Sequence, residues 1–124
     1  MPKVRDQIEQ VHRRTVKASV PEITKFLEEV LTRKLVAYMM EVKDAKTVGR
    51  WASGDRNPGR ETESRLRAVY QIFQILQAEE SPHTVRAWFI GLNPQLDDES
   101  PATAIREGRA KDVLVAAKSW IAGG

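Results

Sequence analysis

The stretch KDAKTVGRWASGDRNPGR, from Lys43 to Arg60, spaces cationic side chains along a short amphipathic segment. Val48 and Trp51 lie three residues apart, so on a helix both point inward and can lock it to a neighbour. Lys46, Thr47 and Arg50 then fall on the outer face. Arginine is the natural reader of guanine, and lysine or threonine can serve bases or phosphates. Gly49 carries no side chain and would allow close approach of a ligand to the backbone. Arg56 and Arg60 follow in a loop where phosphates can lie. The set Lys43, Lys46, Thr47, Arg50, Arg56 and Arg60 is therefore the candidate DNA-binding surface. A helix, a three-residue turn and this two-turn helix would form a helix-turn-helix whose second helix enters the major groove. The plainer alternative is a solvated basic face on a small helical bundle.

A second stretch, GLNPQLDDESPATAIREG from Gly91 to Gly108, combines two prolines, two glycines and three consecutive acids. A metal site from Asp97, Asp98 and Glu99 is a poor fit. No histidine lies near, and consecutive loop residues rarely close a cage. Acids just before a helix start instead suit the helix dipole. The prolines and glycines make two sharp corners between three short helices and present a defined end surface. Catalytic chemistry finds little support elsewhere. The chain has no cysteine, which excludes disulfides and thiolate metal sites. His12 and His83 sit far apart on polar stretches, and neither a nucleophile elbow nor a phosphate-cradling glycine loop is present. No enzyme, cofactor or metal is expected.

The elements that must position these residues are helices throughout, and an all-α fold is expected. The chain has 124 residues and a net charge of +3. Residues 43 to 67 carry seven basic and four acidic side chains, whereas residues 79 to 124 carry five basic and seven acidic. A nucleic-acid surface thus belongs in the middle of the chain, and the tail should face something else. The start has no apolar leader-like run and nothing approaches a membrane span, so a cytoplasmic protein without membrane contact is expected.

Val4, Ile8 and Val11 make a thin stripe on a charged N-terminal helical extension, residues 1–18, that could pair with a second subunit. Ser19, Pro21 and Glu22 mark a helix start, and Ile23, Phe26, Leu27, Val30 and Leu31 follow at helical spacing. Thr32 and Asp44 are caps for the next two helices, Gly54 is a left-handed helix stop, and Asn57-Pro58-Gly59 is a turn. These make the helix-turn-helix region, residues 19–60. A long helix from about Glu61 to Gln77 is apolar over much of its circumference, so residues 61–80 are expected between two subdomains or in a homodimer interface. Ser81-Pro82 and Ser100-Pro101 start further helices of a small tail, residues 81–124.

Two sets of residues carry a family resemblance. Thr47, Val48, Arg50, Trp51, Gly54 and Pro58, with Leu31, Thr32, Ala37 and Val42 before them, resemble the Xre-type helix-turn-helix. Glu41 and Val42 stand where that motif usually turns on glycine, and the step from Val42 to Val48 is one residue longer. Trp88, Phe89, Asn93, Pro94, Leu96, then Ser100, Pro101, Ala102, Ile105, Gly108, then Val113, Leu114, Ala116 and Ala117 resemble the toxin-binding domain of Xre/MbcA/ParS antitoxins. The likeness covers about residues 31 to 121, and residues 1 to 18 have no counterpart in it.

The resemblance implies an antitoxin that neutralises a NAD-degrading RES-domain toxin by covering its pocket. It also implies repression of the protein's own operon through operator DNA, normally as a homodimer. The residues expected to meet the toxin are Asn93 and Pro94 at the rigid corner and Arg109, Lys111, Lys118 and Trp120 on the last helix. Cations suit the mouth of a pocket that holds an anionic pyrophosphate. The alternatives are a stand-alone phage- or plasmid-type repressor without a toxin partner, and a protein-binding module that no longer binds DNA.

Overall fold

Local serine–proline chemistry begins three of the helices. In the computed structural model, which describes residues 4–123, Ser19, Ser81 and Ser100 each accept a hydrogen bond from the backbone N–H three residues on, at 3.2, 3.2 and 3.0 Å. Each such bond satisfies a donor that a helix start leaves unpaired. Among the described residues the fold is all-α: α1 (Val4–Lys17), α2 (Val20–Leu31), α3 (Arg33–Met39), α4 (Lys46–Ser53), α5 (Arg60–Gln77), α6 (Pro82–Ile90), α7 (Pro101–Arg106) and α8 (Ala110–Ile121), with a single 3-10 turn at Pro94–Leu96. No helix is long and apolar enough to cross a membrane among these residues.

Helix α5 is the axis of the molecule. Leu66, Val69, Tyr70, Ile72, Phe73, Gln74, Ile75 and Leu76 are all buried, and α1, α2, α6 and α8 pack around them. The breadth of its apolar surface is therefore consumed within one chain, between the N-terminal helices and the tail. This corrects the dimer-interface alternative for residues 66 to 76, because no apolar face of α5 is left for a second copy. Of the N-terminal stripe, Val11 is buried where α1 lies on α5, with Thr15 and the following Ala18, while Ile8 is half-buried and the side chain of Val4 lies outside the described residues. Arg67 on α5 fastens the end of α1 by donating to the carbonyls of Thr15 and Ala18 at 2.9 and 2.8 Å. Arg14 of α1 donates to the buried Gln74 side chain at 3.1 Å.

The helix-turn-helix region differs from expectation at its turn. Residues 40–45 join α3 to α4, six residues rather than three. Glu41 occupies the left-handed region, φ 58°, at the place where a glycine would be the easier choice. The N-cap of α4 is Ala45, which supplies no side-chain cap, and not Asp44 as expected; Asp44 stands one residue earlier and accepts from the Lys46 N–H at 2.9 Å. Gly54 ends the helix at φ 83°. Asn57 to Gly59 is not a turn. The chain reverses at Gly54 to Arg56 and enters α5 extended, with Gly59 at φ −66°, ψ 168°.

No linker separates α2 from α3. Thr32 closes the first, its N–H bonding the Glu28 carbonyl, and caps the second, its hydroxyl accepting from the Leu35 N–H at 3.2 Å. It does so at φ 77°, ψ 149°, a region that β-branched residues rarely enter, at a cost on the order of 1–3 kcal/mol. Glycine at an N-cap loses only a few tenths of a kcal/mol relative to threonine, though it also frees the unfolded chain. Thr32→Gly is therefore expected to raise stability by about 1 kcal/mol, read as a higher urea midpoint. A lower midpoint would show that the cap outweighs the strain.

Candidate nucleic-acid interface and tail surface

Helix α4 sits as its pattern requires. Val48 is fully buried and Trp51 nearly so, both against the core, and α4 packs chiefly on α2. The opposite face carries Lys46 and Arg50 exposed and Thr47 half-buried. Lys43 precedes the helix and Arg56 and Arg60 follow it, all exposed. None of these five cations forms an ion pair with a carboxylate among the described residues. That separates them from Arg33, Arg65, Arg67 and Arg109, whose charges are matched internally. Unmatched guanidinium and ammonium groups along one short helix and its flanks are free to meet phosphates and base edges.

Two contacts here have no signature in local spacing. The guanidinium of Arg33 lies over Gly49, where an added Cβ would come within 3.0 to 3.2 Å of it. The space beside Gly49 is thus filled by Arg33, which also pairs with Glu28, and is not an open approach to backbone as the sequence suggested. Arg65 of α5 donates to the Met39 carbonyl at 3.1 Å and lies 3.8 Å from the Glu41 carboxylate. It pins the end of α3 and the start of the turn. Only its i, i+4 pairing with Glu61 was visible in the spacing.

In the tail, the corner is built around Asn93. Its side chain accepts from the Gln95 N–H at 2.9 Å, and its backbone bridges to Glu99. Pro94 begins the 3-10 turn and is exposed. Asp97 and Asp98 both adopt left-handed backbone, φ 56° and 62°. Arg109 reaches back across this corner to Asp97, Glu99 and Asp112 at 3.7, 3.6 and 3.2 Å. Its guanidinium is held more firmly charged, first by the bond to Asp112. The structure thus brings Asn93, Pro94 and Arg109 together.

It does not gather the rest of the tail set. Trp120, 38% exposed, leans on Trp88 with ring centroids 6.5 Å apart. Lys118, two residues earlier and hence on the other side of α8, lies beside Ile8, His12 and Gln71. Lys111 is exposed at the start of α8, and it lines a groove of about 810 Å3 between α5 and α8 together with Arg60, Arg65 and Arg109. Arg60, read from sequence as DNA-facing, and Lys111, read as partner-facing, therefore share one surface. Gly124 lies outside the described residues.

No family profile, curated protein or solved structure matches the chain.

Glu99 shares the corner with a second carboxyl group. The neighbouring Glu107 carboxyl is the first cause that pushes its pKa up, with burial next, against the opposing pull of Arg109. The Glu99 Oε2 itself has no hydrogen-bond partner among the described residues. A carboxyl whose folded pKa is raised stabilises the fold at low pH, and that contribution is lost as pH rises through the folded pKa. Glu107→Gln removes the neighbouring carboxyl and puts an amide in its place, whose N–H can donate to the Glu99 carboxylate and favour it. The Glu99 pKa is expected to fall, and the decline in stability with rising pH in the acid range should flatten. Carboxyl carbon shifts across a pH titration measure the first. An unmoved Glu99 midpoint would show that burial, not Glu107, sets it.

Proposed function

We propose that this protein is an antitoxin-type transcriptional repressor that binds operator DNA through α4 and a RES-domain toxin through its tail. The observation that carries the DNA part is the unpaired set Lys43, Lys46, Arg50, Arg56 and Arg60 around a two-turn helix anchored by Val48 and Trp51. Their clustering on one short helix and its flanks is what a phosphate backbone would use. The toxin part rests on the resemblance of the tail, and the rigid corner at Asn93 to Pro101 supports it. A surface already ordered by its own hydrogen bonds loses little entropy on docking. A homodimer belongs to the same reading, and it has to use a surface other than the apolar face of α5.

Fluorescence anisotropy against the DNA upstream of the protein's own gene, across a salt series, tests the DNA part. Arg50→Ala is expected to weaken operator binding by about 1–3 kcal/mol and relax discrimination at one base position. Arg56→Ala should weaken all DNA alike and flatten the salt dependence. Unchanged operator affinity in a folded Arg50→Ala protein removes α4 as the reader.

The toxin part is tested by co-expression with the cognate toxin. Lys118→Glu combined with Trp120→Ala, confirmed folded by circular dichroism because Trp120 touches Trp88, should fail to rescue growth. Rescue equal to wild type would move the inhibitory element from α8 to the corner at residues 93 to 101.

A further inference from the structure

Large apolar side chains exposed to solvent are few, and two of them converge. Tyr38 on α3 is 41% exposed and Ile90 on α6 is 58% exposed. With Leu31, Leu35 and the flanking Thr32, Lys34 and Arg86 they line a shallow groove of about 580 Å3. The groove exists because α3 and α6 are held apart: each packs on α2 and on α7. Its α3 wall is fixed. The Tyr38 hydroxyl bonds the Thr103 hydroxyl at 3.0 Å, and the Arg106 guanidinium lies 4.7 Å from the centre of the Tyr38 ring and donates to the Tyr38 carbonyl at 2.6 Å. A wall that is already ordered costs little to dock against.

We infer that the groove between α3 and α6 receives one face of an acidic amphipathic helix from a partner protein. Apolar side chains spaced at i, i+3, i+4 and i+7 fit a groove between two helices. The charge of the rim decides what flanks them. Lys34 and Arg86 stand at the groove, no carboxylate lines it, and neither cation makes an ion pair among the described residues. A second copy of the chain is the wrong occupant. An isologous contact would set Lys34 and Arg86 against themselves, and like charges across an interface are costly. The proposal rests on the groove's own lining and charge and does not depend on the DNA or toxin reading.

The test uses the full-length, nitrogen-15-labelled protein and a synthetic amidated helical peptide with leucine on one face and glutamate on both flanks. Backbone shifts should move at Leu35, Tyr38, Arg86 and Ile90. The same peptide with lysine flanks should bind at least roughly tenfold more weakly. Ile90→Glu, whose exposed position leaves the fold intact, should abolish the shifts. Lys34→Glu with Arg86→Glu should reverse the preference between the two peptides. Absence of binding, shifts confined to other residues, or equal affinity for both peptides would overturn the proposal. So would a dimer in sedimentation that Ile90→Glu dissociates, since the groove would then belong to a second copy.

Discussion

Phe73 is the point through which the two halves of the molecule are joined. Its ring meets Phe26 of α2 edge-on at 5.4 Å and lies nearly parallel to Phe89 of α6 at 6.1 Å. Phe26 in turn meets Tyr70 edge-on at 5.5 Å. One fully buried side chain of α5 thus contacts both the helix on which α4 packs and the first helix of the tail. Aromatic pairs in these geometries contribute about 0.5–1.5 kcal/mol each beyond the area they bury. The larger consequence is architectural. One cluster of buried side chains runs from Ala18 to Ala117, and a close-packed interior transmits strain from one part to the other. The surface around α4 and the corner at Asn93 are joined through that core, and removing the tail would uncover the side of Phe73 that meets Phe89.

Cations divide into two kinds around that core. Arg67 bonds the carbonyls that end α1, while Arg65 and Arg106 bond the Met39 and Tyr38 carbonyls that end α3. The last carbonyls of a helix have no partner within it and carry the negative end of its dipole, so a guanidinium there satisfies both. α3 is short, and its end is fastened from α5 on one side and from α7 on the other. The cations on and beside α4 make no such bonds. Composition alone shows only that the middle of the chain is basic. The structure shows which of those charges are already spoken for.

What could be read in advance follows from the range of each interaction. The caps at Ser19, Thr32, Ser81 and Ser100, and the left-handed stop at Gly54, depend on groups within three residues and were legible; the start of α4 falls one residue past Asp44, at Ala45. So was the inward phase of Val48 and Trp51, because helical periodicity is local. The docking of α1 was not legible. It depends on Arg67 reaching Thr15 across 52 positions, and on Val11 and Thr15, whose burial no pattern in a charged segment announces. The Tyr38–Arg106 contact spans 68 positions, and the groove beside it follows from how four helices pack, which spacing along one helix cannot express. The tail set was partly legible. Asn93, Pro94 and Arg109 share the corner, but Lys118 and Trp120, two residues apart, had to face opposite ways on a helix.

The turn between α3 and α4 shows how a departure from a motif is absorbed. A non-glycine residue in left-handed backbone costs about 1–2 kcal/mol, and Glu41 bears that cost. Arg65 offsets only part of it: its pairing with the Glu41 carboxylate, 3.8 Å away and more than half exposed, contributes roughly 0–1 kcal/mol. Its bond to the Met39 carbonyl holds the end of α3 whichever residue stands at 41. The longer connection has a matching consequence. With six residues between α3 and α4, the position of α4 is set less by the turn than by what it packs on, and Val48 and Trp51 seat it on α2. Thr32 and Arg33 then matter more than the turn itself. They fix how α2 hands the chain to α3, and Arg33 closes over Gly49 from that junction. The outward face of α4 is therefore held from beneath by α2, and Lys46, Thr47 and Arg50 are presented from that support although the turn before them is atypical.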